Sequence, residues 1–135
     1  RAELKYTDPE NILETGIDID VQPPGKAVQN ITLFSGGEKA LIAISCLFAI
    51  LRVRPVPMCI LDEVEAALDV ANVERFAKYL REFSSQTQFI VVTHREGTME
   101  ECDLLYGATM QQKGVTKLVS VRYRKVSFFL ILLYN

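Results

Sequence analysis

Between Pro57 and Asp62 the chain carries four apolar residues without a break, Met58-Cys59-Ile60-Leu61, and the run ends in two adjacent carboxylates, Asp62 and Glu63. A short continuous apolar run, rather than an alternating one, is the pattern of a strand covered on both faces in a parallel sheet. A second run of the same character is Phe89-Ile90-Val91-Val92. Between the two, residues 72–83 put Val73, Phe76, Ala77 and Leu80 on one helical stripe. Strand, helix, strand makes a βαβ unit, which crosses over right-handedly. The chain is thereby confined to an α/β fold.

The flanking segments extend this pattern. Residues 37–53 read as a helix that is apolar nearly all round, and a helix without a polar face predicts burial. Ser35 has the chemistry of its N-cap, Glu38 three residues on completes a capping-box pattern, and Pro55 and Pro57 stop the helix. Upstream, residues 2–6 alternate weakly and residues 17–21 strictly, with Ile17, Ile19 and Val21 on one face. Thr7-Asp8-Pro9 reads as a turn, and Pro23-Pro24-Gly25 ends the second run. Residues 104–110 and 115–121 read as two further strands joined by a turn at Gly114. The architecture this predicts is a mostly parallel sheet flanked by helices, preceded by an incomplete β-rich part. No internal repeat or low-complexity tract interrupts it.

A length of 135 residues fits one domain or one lobe of a larger one, and 49% hydrophobic residues are enough for a core. The net charge of −2 gives no global attraction to nucleic acid. Cys46, Cys59 and Cys102, odd in number and set among apolar neighbours, read as three reduced, buried thiols. The opening Arg1-Ala2-Glu3-Leu4 has no apolar leader and no initiator methionine, and reads as an internal start. Residues 128–134 are strongly apolar but far short of the about 20 residues that span a bilayer, so no membrane is expected.

Three places carry chemistry. Ser35-Gly36-Gly37 opens a helix, where unpaired N–H groups and the positive end of the dipole attract phosphate and glycines let the anion approach. Alone the pattern is more often that of a capped core helix. Asp62 and Glu63 stand at the carboxyl end of a buried strand, where ligands of α/β sheets bind. Asp62 suits a magnesium ion, directly or through water, and Glu63 can orient and deprotonate a water. Two adjacent acids at a buried edge repel each other unless a cation compensates, which disfavours a merely solvated strand end. His94, through Val92-Thr93, arrives at the same edge and can bond a terminal phosphate. Asp69 can cap the helix that starts at Val70 or Ala71. A phosphate loop of the form G-x-x-x-x-G-K-[ST] occurs nowhere in the chain. Its nearest imitation, Pro23-Pro24-Gly25-Lys26-Ala27, lacks the first glycine and the hydroxyl, and reads as a turn.

The order Ser-Gly-Gly-Glu, strand with Asp-Glu, Ala-Leu-Asp, strand with Thr-His resembles the C-terminal lobe of ABC-type ATPases, a P-loop NTPase fold. Within that class it resembles the C-terminal half of the head of a bacterial structural maintenance of chromosomes (SMC) protein. The residues that carry this are 33–41, with Phe34 where leucine is usual, then 53–57, 61–69, 87–95 and 97–107. The likeness covers residues 1–121. Residues 122–135, Arg122-Tyr123-Arg124-Lys125 and then an apolar run, are unlike the family's ending; if exposed, that run is an aggregation hazard.

The resemblance implies a division of labour. ATP and Mg2+ are the cofactors, and the phosphate loop lies in the N-terminal half of the same head. Asp62 and Glu63 resemble the Walker B pair, with Asp62 on the metal and Glu63 as catalytic base. Ser35, Gly36, Gly37 and Glu38 resemble the signature motif that closes on ATP of the opposite head; Asp69 resembles the D-loop aspartate and His94 the switch histidine. Implied partners are the N-terminal half, a second SMC head, a kleisin subunit, and DNA through the complete complex, in the cytoplasm on the nucleoid. The rival readings are an ABC ATPase of DNA repair or membrane transport, and a module that mainly binds the kleisin.

Overall fold

The computed structural model describes residues 1–123 and the backbone of residues 128–133. It contains two sheets. The first is antiparallel, in the order β1-β2-β3, from β1 (Ala2–Tyr6), β2 (Ile17–Val21) and the short β3 (Gln29–Asn30). The second holds β4 (Met58–Asp62), β5 (Gln88–Val92), β6 (Leu104–Gln112), β7 (Val115–Arg122) and β8 (Phe128–Leu133), in the order β4-β5-β8-β6-β7. Its neighbours run parallel except β6 and β7, which form an antiparallel hairpin turned at Gly114 (φ +82°). The sheet is thus mostly parallel, as the apolar runs predict.

Helix α1 (Gly36–Val53) leads into β4, α2 (Val70–Phe83) joins β4 to β5, and the short α3 (Glu96–Met99) follows β5. Asp69 caps α2 by accepting from the Asn72 N–H at 2.8 Å, and Val73, Phe76, Ala77 and Leu80 are its buried residues, the stripe read from the sequence. Val73, Phe76 and Leu80 meet Leu61, Phe89 and Val91 of the sheet and Ile44, Phe48 and Leu51 of α1 in one core. Each large side chain buried there contributes roughly 1.5–3 kcal/mol. Phe48 also packs on the rings of Phe76, Tyr79 and Phe83, with centroids 5.1–6.1 Å apart.

Three expectations need correction. Helix α1 is not buried all round: Ile44, Phe48 and Leu51 are covered, but Ile50 and Val53 are 64% and 82% exposed. Nor is β4 covered on both faces. Leu61 is buried while Met58 and Ile60 on the other face are half exposed or more. The reason is the same in both cases: α1 and α2 feed a single core on one side of the β4–β5 pair, so the helices flank one face of that pair rather than two. Of the cysteines, only Cys102 is buried; Cys46 and Cys59 are half-buried, and all three are free thiols.

The apolar run near the C-terminus is a strand, β8, paired on one side with β5 (Phe89 opposite Phe128) and on the other with β6 (Leu105 opposite Leu130). Pairing on both sides leaves no free edge on that strand. Of the preceding basic run, Arg122 closes β7 and the Tyr123 N–H donates to the Asp103 carbonyl at 2.8 Å; Arg124, Lys125 and Tyr134 lie outside the described residues. Among the described residues no helix is long and apolar enough to cross a membrane.

Candidate nucleotide site

The carboxyl ends of β4 and β5 lie side by side, Asp62 opposite Val92 in the register. That pairing delivers the next residues of each strand to one place. Glu63 Oε1 stands 3.3 Å from His94 Nδ1, both side chains more than half exposed. Glu63 is the one non-glycine residue with positive φ (+45°) among the described residues. A left-handed backbone on such a residue costs about 1–3 kcal/mol and persists only where its surroundings over-determine it. Here the Glu63 N–H donates to the Val92 carbonyl (2.9 Å), and the Glu63 carbonyl accepts from the Ala66 N–H (3.0 Å). The main chain therefore turns sharply away from the sheet directly after Asp62, leaving the Asp62 side chain exposed at the strand end.

The helix-opening motif is built as its residues suggest. Ser35 caps α1 and Glu38 reaches back to the Ser35 N–H (3.1 Å) and hydroxyl (2.9 Å). An ion pair from Lys26 adds to this, and the Lys26 and Ser35 bonds together hold the Glu38 carboxyl well below its ordinary value, at about 2. Lys26 belongs to the turn whose Gly25 takes φ +77°, so the false phosphate loop is a turn whose lysine braces the signature-like helix. No local sequence signal joins Lys26 to Glu38, because the pairing depends on where two separate elements are placed.

The two adjacent glycines answer to different demands. A Cβ on Gly37 would stand 2.9 Å from the Ala67 carbonyl oxygen, so glycine there is required by the approach of the 63–69 arc. A Cβ on Gly36 would meet nothing within 4 Å. Gly36 thus faces open space at the helix N-terminus, room for an incoming anion. We expect Gly37→Ala to lower the melting temperature, at a cost of about 1–3 kcal/mol from overpacking. Gly36→Ala should leave that temperature unchanged or raise it. Thermal unfolding of both variants checks the contrast, and equal effects would refute the separate roles.

Asp69 is placed as the cap of α2, at the far end of the same arc. The arc is held by residues that sequence reasoning did not single out. Glu65 is fully buried and its Oε1 accepts from the Thr98 hydroxyl at 3.1 Å. Arg95 donates from Nη2 to the Leu68 carbonyl at 2.9 Å. The available signal for Glu65 was an acid enclosed by Val64, Ala66, Ala67 and Leu68, since an unexposed carboxylate is rare without a purpose. Among the described residues no group of three His, Cys, Asp or Glu side chains forms a metal site.

Comparison with known proteins places the chain in a family. Residues 9–117 match the family model described as the RecF/RecN/SMC N terminal domain. The chain is 63% identical over 129 residues to the chromosome partition protein Smc of Bacillus subtilis (strain 168), covering 96% of this chain and 11% of that protein. It is 61% identical over 121 residues to the protein of the same description from Lactiplantibacillus plantarum, covering 90% of this chain and 10% of that one. Among solved structures it resembles an Smc head domain with an extended coiled coil, derived from Pyrococcus furiosus and bound to the C-terminal domain of ScpA. The TM-score is 0.78 at 42% identity, over 90% of this chain and 30% of that chain. The chain spans about a tenth of the length of the curated relatives it matches.

Proposed function

The chain belongs to the RecF/RecN/SMC family, and on that premise we propose that it is the C-terminal half of an SMC ATPase head. In this reading it acts in chromosome condensation and partition, in the cytoplasm and on the nucleoid. The family model bears an N-terminal name; the half is assigned from the order of Ser35-Gly36-Gly37-Glu38, Asp62-Glu63, Asp69 and His94 in a chain that carries no phosphate loop. The observation that carries the proposal is the meeting of Glu63 with His94 beside Asp62, at the carboxyl edge of a parallel strand pair.

The residues divide the work by their chemistry. Asp62 offers an exposed hard oxygen for Mg2+. Glu63 accepts the proton of the attacking water, and His94, hydrogen-bonded beside it, senses the terminal phosphate. Ser35, Gly36 and Gly37 form the open helix N-terminus that closes on the ATP of a second head, with Glu38 fixing the cap and Asp69 at the seam between heads. ATP with Mg2+ supplies the anionic ligand that both surfaces contact. The apolar residues left open, Met58 and Ile60 on β4 and Ile50 and Val53 on α1, support a further packing partner, for which the N-terminal half of the same head is the reading's candidate.

A direct test is reconstitution. This chain alone should show negligible ATP turnover, and adding the N-terminal half should restore it. Brisk hydrolysis by the pure isolated chain would sink the proposal, because the phosphates would then have a cradle that this reading assigns to another segment.

A second role has its own support. Two of the similar Smc head structures are bound to ScpA, one to its C-terminal domain and one to its C-winged helix domain. We infer that this half also contacts the kleisin and reaches DNA only through the complete complex. Kleisin capture that survives loss of Asp62 and Glu63 would show the two surfaces to be independent. An ABC ATPase of DNA repair or transport is the weaker reading, given chromosome-partition relatives at 61–63% identity.

A further inference from the structure

We propose that Glu65, held by Thr98, is a positioning residue for Glu63: their buried hydrogen bond locks the 63–69 arc so that Glu63 keeps its left-handed backbone beside His94. The proposal rests on the ATPase reading above and adds to it a part that the reading does not need for its own sake.

Start from the cost. A fully buried carboxylate loses several kcal/mol of hydration unless it is well partnered. Glu65 is fully buried, yet its partner is one neutral hydroxyl, Thr98 Oγ1 at 3.1 Å. Its Oε2 has no hydrogen-bond partner among the described residues. A leucine in that position would pack without the penalty. Stability of the fold therefore does not explain the acid. Orientation does.

Apart from the Asp69 cap, which joins its far end to α2, the arc is tied to the rest of the molecule at three points. The Glu63 N–H donates to Val92, Glu65 accepts from Thr98, and the Leu68 carbonyl accepts from Arg95. The other bonds within it, Ala66 N–H to Glu63 and Leu68 N–H to Glu65, are local turns that could travel with it. All three anchoring partners lie in the segment that carries His94, two of them directly after it. The Thr98–Glu65 bond is the fully buried one, shielded from competition by water. It joins the arc of Glu63 to the segment of His94 as one body, and the same arc carries the Ala67 carbonyl that abuts Gly37.

The test uses the complete head with its N-terminal half. Glu65→Leu removes the bond and keeps the volume. It should melt at or above the wild-type temperature, bind ATP within about twofold of wild type, and lose roughly 10–100-fold in kcat, the size of effect a small misplacement of a catalytic group produces. Glu65→Gln keeps an acceptor for Thr98 and should recover most of the rate. A Glu65→Leu enzyme with wild-type kcat overturns the proposal, as does a loss that Glu65→Gln fails to recover. If Glu65→Leu does not fold, Glu65→Gln with Thr98→Val is compared with Glu65→Gln alone. There the carboxyl is already replaced by an amide in both variants, a slower double variant supports the tie, and equal rates refute it. Failure of the ATPase reading looks different: the wild-type complete head would itself be inactive.

Discussion

Glu63→Gln in the assembled head is expected to cut ATP hydrolysis by roughly 10²–10⁴-fold, the usual worth of a positioned general base, while the heads still bind ATP and accumulate as dimers. The amide is isosteric, can still bond His94 Nδ1 across the 3.3 Å that separates the groups, and adopts the +45° φ as readily as glutamate does. Only the capacity to accept a proton is lost. Phosphate release in single-turnover conditions measures the chemical step, and light scattering with ATP measures the dimer. A variant that still hydrolyses within tenfold of wild type removes Glu63 from the role of base. One that loses hydrolysis but stays monomeric with ATP would place Glu63 in engagement instead.

Ser35→Arg is expected to leave nucleotide binding by its own head intact and to abolish engagement with the second head. Ser35 caps α1, and its hydroxyl bonds Glu38 at 2.9 Å. Losing the cap costs about 0.5–2 kcal/mol of stability, which the helix can bear through Ile44, Phe48 and Leu51. The larger effect is at the face that Gly36 leaves open. On the proposed reading a long cation there would meet the opposing head, and burying an uncompensated charge costs about 3–5 kcal/mol, a loss of roughly 100-fold or more in association. Ser35→Ala separates the two effects, since it removes the cap without adding bulk. ATP-dependent dimers of the arginine variant at wild-type affinity would dissociate this motif from the seam.

The elements of this fold were legible wherever the information is local. Period-3.6 spacing identified α2 and its buried stripe of Val73, Phe76, Ala77 and Leu80. Ser35 and Asp69 marked their helices because a cap needs only a short polar side chain and the N–H groups within its reach. The Asp62-Glu63 and His94 pair was legible because parallel strands of equal length end together, so residues just past each end become neighbours. Burial was not legible in the same way. The apolar character of α1 and of β4 stated what could be covered, but Ile50, Val53, Met58 and Ile60 show that this chain covers only part of it.

The sequence by itself determined the α/β class, the caps, and which residue types reach the carboxyl edge of the sheet, because each of these is written in spacing over a few residues. Only the tertiary structure decided that Lys26 braces Glu38, that Gly37 must yield to the Ala67 carbonyl, that Glu65 answers to Thr98, and that β8 is inserted between β5 and β6. Those contacts join positions from 12 to more than 30 residues apart. Their free energy depends on where packing has placed two separate elements, a quantity that no local pattern of residue types encodes.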